Sequence, residues 1–351
     1  MGLIQEYQIQ AFDSEQVFEK LKRSSDQWFE AIEITRNLSF SFKKEDIDNI
    51  VITGMGGAAI AGDMVKSLSM DSAHIPVSMN RTYSLPSFVN DRTLVIILSY
   101  SGDTEETVSA ANHALERNAH CIGITSGGQI SLLVDHERFD LIKITPDLSS
   151  RSALAYFFIG IWRAFQTLEI FADGDELLLE TGDFIKEQIE LFSDLEENEP
   201  AELAEQILDS LPVIYSSDGI LKPVNLRWRN QIQEYAKTLA YGGILPEMNH
   251  NEIVGWERTS HLMGRVSCIQ LVDENDHYRV QRRMDISAEL IEPHAVAYQR
   301  VRAVGPCPLR RMFYMILFGD FMAYYLAILS ETDPAPITKI DLMKTKLKEI
   351  E

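Results

Sequence analysis

Cysteine is scarce in this chain: Cys121, Cys268 and Cys307 are the only three in 351 residues, odd in number and far apart. That excludes a disulfide framework and a CxxC zinc site, and it suits a reducing compartment. Positive charge is also in deficit, with 32 Lys and Arg against 53 Asp and Glu. No basic patch is present to supply the counterion release that drives nucleic-acid binding. The opening residues MGLIQEYQIQ hold neither a basic n-region nor an apolar h-region, so no secretory signal is expected. Glu6 stands where myristoylation wants Ser or Thr. Long apolar runs are missing except at residues 312–329, and Asp320 interrupts that one. A carboxylate at mid-bilayer costs about 2.5–3.5 kcal/mol on insertion scales. The expectation there is a helix buried between domains, in a cytoplasmic protein that touches neither membrane nor nucleic acid.

What the chain does contain is two strand–loop–helix segments. The first, VITGMGGAAIAGDMVKSL, runs from Val51 to Leu68; the second, LVIILSYSGDTEETVSAANHA, runs from Leu94 to Ala114. A parallel sheet binds ligands beyond the carboxyl ends of its strands. Gly56 and Gly57 let backbone N–H groups approach a ligand, while Ser99, Ser101 and Thr104 put hydroxyls at a helix N-terminus. Together they favour a phosphate. No Gly-Lys-Ser/Thr follows the glycines, which excludes a nucleotide P-loop. Ala59 completes a GxGxxA pattern, but the second strand ends PVSMNRTY and lacks the carboxylate a dinucleotide ribose requires. The bland reading of the second loop is a Ser/Thr cap with Glu106 in a capping box, which is compatible with an anion site.

A chain of this length suits two domains of about 150 residues each. Residues 1–45 read as an N-terminal helical segment, 46–170 as a first α/β domain, 171–205 as an acidic connector and 206–351 as a second α/β domain with a tail. Strands are expected at 49–53, 77–79, 94–98, 120–125 and 141–144, with helices over 58–68, 104–117 and 151–169. The second half shows strands at 213–216, around 247–250, at 267–271 and at 301–304, and helices over 225–240 and 309–329. Between positions 169 and 209 stand 15 acidic residues against Lys186 alone, which reads as a solvated stretch.

Further segments narrow the family. Ser150-Arg151-Ser152-Ala153-Leu154 opens a helix, and RWRNQIQEYAK, with Glu234 near its end, precedes PEMNHNEI around His250. With GMGGAA and SYSGDT these resemble the GMGGSG, SYSGNT, PRAAL, NENAK and PELNHNE motifs of the bifunctional phosphoglucose/phosphomannose isomerases, over about residues 50 to 345. The resemblance implies an α/β fold of two SIS-type (sugar isomerase) doubly wound parallel-sheet domains with flanking helices. It implies an aldose–ketose isomerase of hexose 6-phosphates, with no metal and no cofactor. The family's catalytic base falls on Glu234, its ring-opening histidine on His250 and its active-site arginine on Arg151. Its phosphate-binding groups fall on Gly56, Gly57, Ser99, Ser101 and Thr104. Its late lysine falls on Lys344, with Lys339 second. The resemblance also implies a homodimer with shared sites, in which Ile253, Val254 and Trp256 would suit the interface. Departures stand at Ala58 for Ser, Ser150 for Pro, Gln-Glu-Tyr for Asn-Glu-Asn, and Ala335 for Thr in the final DPTP motif.

The chemistry agrees. Aldose–ketose isomerisation needs one base to move a proton between C1 and C2, and a well-placed base is worth ~10²–10⁴-fold. Charge developing on the enediolate calls for a fixed cation, and ring opening for a group that titrates near neutrality. Two other classes fit the sequence less well. A non-catalytic sugar-phosphate sensor usually adds a helix-turn-helix domain, for which the leader is short and insufficiently basic. A glutamine-dependent aminotransferase needs a nucleophilic cysteine near its N-terminus, where this chain has Gly2.

Overall fold

The structure, a computed structural model, describes residues 3–146, 148, 151–171, 174–257 and 261–350. Gly2, Asp147 and Ser150 lie outside the described residues. The chain divides into two compact units, one of residues 23–186 with 308–310, the other of 1–22, 187–307 and 311–351. The expected 1–45 segment is thus shared out: α1 (Glu6–Phe12) and α2 (Val17–Lys22) go with the second unit, and α3 (Ser24–Ile34) with the first. Phe18 explains the former, stacking on Tyr324 at 5.3 Å. Trp28 explains the latter, stacking on Phe158 at 5.7 Å and donating its indole N–H to the Leu178 carbonyl at 2.7 Å.

In the first unit, strands and helices alternate: β1 (Asn49–Gly54), α4 (Gly56–Ser69), β2 (Val77–Asn80), β3 (Thr93–Leu98), α5 (Glu105–Glu116), β4 (His120–Thr125), α6 (Gly128–Ser131), β5 (Phe139–Lys143) and α7 (Leu154–Thr167). The sheet is parallel in the order β2-β1-β3-β4-β5. Every residue of β3 is buried, as a strand covered on both faces requires.

The acidic stretch is helical. It forms α8 (Asp175–Phe192) and α9 (Glu199–Gln206). Leu178, Ile185, Ile189 and Phe192 recur at helical spacing and are buried, so the carboxylates occupy only the opposite face. The second unit continues with β6 (Leu211–Ser217), α10 (Leu221–Tyr235), β7 (Tyr241–Leu245), β8 (Val266–Val272), α11 (Tyr278–Ile291), β9 (Ala297–Arg302), α12 (Pro308–Leu329) and α13 (Thr338–Lys348). Its sheet is also parallel, β7-β6-β8-β9, repeating the order of the first four strands of the other sheet.

The strand expected around 247–250 is corrected. Residues Glu247–His250 form a 3-10 turn, and the strand is the preceding YGGIL. Its glycines disguised it, yet a Cβ on Gly242 would lie 2.1 Å from the Ile214 carbonyl oxygen, so close pairing with β6 demands glycine there. Helix α12 is long and apolar enough to cross a membrane, but 94% of its most apolar window is buried in the fold. Asp320 is buried there with Arg227 as its partner, 2.6 Å away.

Candidate active site

The order of the first sheet puts its switch point between β1 and β3, where successive connections leave for opposite faces and a crevice opens. Register aligns Gly54 with Leu98, so the loops after these two strands emerge side by side. Gly56 opens α4 at φ +50°, with open space where a Cβ would stand, and Gly57 follows it in the first turn. Unpaired first-turn N–H groups therefore face the crevice from α4, and those of α5 come from the neighbouring loop.

That second loop is held by its own hydroxyls. Ser99 is buried; its Oγ lies 3.0 Å from Thr104 Oγ1 and accepts the Gly102 N–H at 3.1 Å. Ser101 Oγ accepts the Asp103 N–H at 3.2 Å, and Asp103 Oδ1 accepts the Gln129 N–H at 3.0 Å. Gly102 sits at φ +75°, and a Cβ there would fall 1.8 Å from the Gly127 carbonyl oxygen. Thr104 is the N-cap residue of α5 but makes no side-chain cap hydrogen bond. The capping box expected with Glu106 is therefore not formed. The Ser99–Thr104 hydroxyl pair stands over the helix end instead, where an anion's oxygens would accept from it.

Mutating both Ser101 and Thr104 to Ala should thus raise the KM for a phosphorylated substrate ~10-fold or more and barely move the melting temperature. A true cap would cost ~1 kcal/mol of stability. Initial-rate kinetics beside thermal melts decide the matter; a fallen melting temperature with KM unchanged would restore the capping role.

Arg151 follows a segment tied to this loop. Tyr100 Oη donates to the Thr145 carbonyl at 3.0 Å and accepts the Leu148 N–H at 2.7 Å. Arg151, three residues on, is half-buried in the turn ahead of α7. Tyr156 on α7 donates to Glu30 Oε2 at 2.8 Å, and the Thr145 hydroxyl bonds the other oxygen of that carboxylate. The role of Tyr100 as a staple was not legible from sequence.

In the second unit, Glu234 is the penultimate residue of α10 and is half-buried. It lines a cleft of about 580 Å³ together with Asn230, Lys237, Thr238 and Lys339. That size falls in the usual range for small-molecule sites. Lys237 ends the helix at φ +56°. Its ammonium donates to the Glu234 carbonyl and, at 3.3 Å, to the Pro334 carbonyl, tying the tail to the helix end. Asp333 Oδ1 accepts the Ala335 N–H at 2.9 Å, so the turn forms without a threonine at that position.

Two expected residues are not brought to this cleft. Lys344 is exposed on α13, whereas Lys339, the second choice, lines the cavity. His250 is exposed at the end of its 3-10 turn and is not among the lining residues. The loop after it is fixed by a network that the sequence did not disclose: Tyr215 Oη donates to Glu252 Oε1 at 2.8 Å and accepts the Trp256 indole N–H at 3.0 Å. Trp256 is therefore buried inside its own chain and unavailable to an interface, while Val254 stays exposed. Cys121 and Cys268 are buried, and burial pushes the Cys121 thiol up to about 12, so it is no nucleophile near neutrality. Among the described residues no cluster of three His, Cys, Asp or Glu side chains could hold a metal ion.

Comparison with known proteins gives the family. Residues 44–147 match the SIS domain, and residues 196–347 match the bacterial phospho-glucose isomerase C-terminal SIS domain. A bifunctional phosphoglucose/phosphomannose isomerase from Caldicellulosiruptor bescii is 39% identical over 95% of this chain and 99% of its own. The chain belongs to that family. A member from Aquifex aeolicus is 31% identical over 91% of this chain and 99% of its own. Among solved structures, the C-terminal domain of a glucosamine-fructose-6-phosphate aminotransferase from Francisella tularensis superposes with a TM-score of 0.69 at 13% identity, covering 90% of this chain and 96% of that one. The tagatose-6-phosphate ketose/aldose isomerase of Escherichia coli gives 0.62 at 15% identity, covering 91% and 95%. At such identities the likeness concerns the fold: two SIS-type α/β domains with flanking helices.

Proposed function

We infer that this protein is an aldose–ketose isomerase interconverting glucose 6-phosphate and mannose 6-phosphate with fructose 6-phosphate. The observation that carries the reading is Glu234, a half-buried carboxylate in a cleft of sugar-phosphate size beside Lys237 and Lys339, in a chain whose relatives bear that activity in their names. Those names also disfavour the sensor reading. His250 delivers a proton to the ring oxygen as the C1–O5 bond breaks and the anomeric hydroxyl gives up its proton to become the C1 carbonyl. Glu234 then removes the C2 proton of the open-chain aldose. The C2–H electron pair becomes the C1=C2 double bond, and the carbonyl oxygen takes up negative charge, stabilised by Arg151. Returning the proton to C1 while the O2 proton passes to O1 leaves a C2 carbonyl and a C1 hydroxyl, which is the ketose. Returning it instead to either face of C2 yields glucose or mannose 6-phosphate from one enediol. Each transfer uses a side chain, so the chemistry calls for no cofactor.

Gly56, Gly57, Ser99, Ser101 and Thr104 hold the phosphate, and Lys339 takes the place of Lys344 as the late lysine. Because His250 stands exposed outside the Glu234 cleft, it is assigned to the neighbouring site of a homodimer. A cytoplasmic location fits the unpaired thiols.

The route is tested in deuterium oxide. Glucose 6-phosphate formed from fructose 6-phosphate should carry deuterium at C2 in a measurable fraction, because an acid-bound proton exchanges with solvent. Product with protium alone would point to a hydride shift and overturn the enediol.

A further inference from the structure

Resting on the reading of Glu234 as the base, we propose that Asp320 positions it: paired with Arg227 and bonded by Gln231, it sets the rotation and height of the helix that carries Glu234. Arg227, Gln231 and Glu234 all lie on α10, and Asp320 lies on α12. Residues seven apart on a helix differ by only about 20° in direction, so Arg227 and Glu234 share one stripe two turns apart. Turning Arg227 toward α12 therefore fixes where Glu234 points.

The clamp is specific. Arg227 Nε and Nη2 donate to Asp320 Oδ1 and Oδ2 at 2.8 and 2.6 Å, and Gln231 Nε2 reaches Oδ1 at 3.0 Å. All three side chains are buried. Between them Trp228 donates to the Met315 carbonyl at 2.7 Å and stacks on Phe318 at 5.6 Å with 4° between the rings. Its indole lies so close that a Cβ on Gly319 would fall 2.2 Å from the ring nitrogen.

Stability does not account for the ion pair, since apolar residues of similar volume often do as well or better in such places. A bidentate fork does what apolar contact cannot: it permits one register, whereas greasy faces slide. The carboxylate is also the one charged side chain of α12 beyond Arg311. Burial pushes its pKa above the usual range while Arg227 and Gln231 pull it down, and the charged pair is what the fork geometry holds. Displacing a catalytic group by 1 Å can cost ~10²-fold in rate, which makes a rigid mounting for Glu234 worth having.

The test compares kcat and KM for fructose 6-phosphate, each measured well below the variant's own melting temperature. The variants are Arg227→Lys, Asp320→Asn and the double Arg227→Met/Asp320→Leu, with Glu234→Gln alongside. The folded single variants should lose ~10-fold or more in kcat with KM within ~3-fold of wild type. The double variant should recover melting temperature and keep the loss in kcat. Should kcat return together with stability, the pair is structural only and the proposal falls. If the double variant does not fold, Arg227→Lys decides, because it keeps the charge and loses the fork; wild-type kcat there overturns positioning. An inactive Glu234→Gln beside an unaffected Arg227→Lys rejects the clamp alone, whereas an active Glu234→Gln rejects the base itself.

Discussion

Replacing Glu234 by Gln should lower kcat by ~10²-fold or more while fructose 6-phosphate binds nearly as before. The amide keeps the volume and hydrogen bonding of the side chain and removes only its capacity to take a proton. The helix should not suffer, because Glu234 is half-buried at the end of α10 and other residues of that helix, Val224, Trp228, Ile232 and Tyr235 among them, are buried. Steady-state kinetics with equilibrium binding of the ketose separate the two effects. Near-normal turnover by a folded, pure variant would remove Glu234 from the role and leave the cleft without its base.

A second large effect is expected from mixing two dead proteins. Glu234→Gln and His250→Ala subunits, dissociated together and allowed to reassociate, should regain about a quarter of wild-type activity. Under random reassortment half of the dimers are mixed. If each site takes Glu234 from one chain and His250 from the other, a mixed dimer has one doubly damaged site and one intact site. The exposure of His250 and its absence from the Glu234 cleft motivate the arrangement. Activity that stays at background, with mixed dimers demonstrated by native mass spectrometry, would place both residues in one chain's site. A monomer in solution would remove the sharing altogether.

How far the sequence could be read depended on whether local pattern and tertiary role agreed. The strands of the first sheet are continuous β-branched and apolar runs, and they were found within a few residues of their observed bounds. β7 was missed because Gly242 and Gly243 carry no apolar signal; their reason for being there is the close approach of β6, which is a tertiary fact. The acidic stretch was misjudged because its charge is conspicuous and its buried stripe of Leu178, Ile185, Ile189 and Phe192 is sparse. Sheet order is not written in local pattern at all, so the 2-1-3-4 order that the second sheet shares with the first four strands of the other emerges only from the pairing.

The candidate site shows the same division. Motif spacing singles out the glycines, hydroxyls and ionisable groups as candidates, because their chemistry requires particular residue types in a short stretch. It could not tell that the Thr104 hydroxyl would turn to Ser99 rather than cap α5, nor that Lys339 and not Lys344 would reach the cleft. The partners of Tyr100 and Asp320 were illegible for a plainer reason: they lie 45 and 93 residues away along the chain.

The most direct measurement is a coupled assay of the purified protein, with glucose 6-phosphate and mannose 6-phosphate supplied separately and fructose 6-phosphate formation followed. Both aldoses should be turned over, and each should inhibit the other competitively with an inhibition constant equal to its own KM, as one shared site requires. A folded protein that binds these sugar phosphates and converts neither would contradict the isomerase assignment.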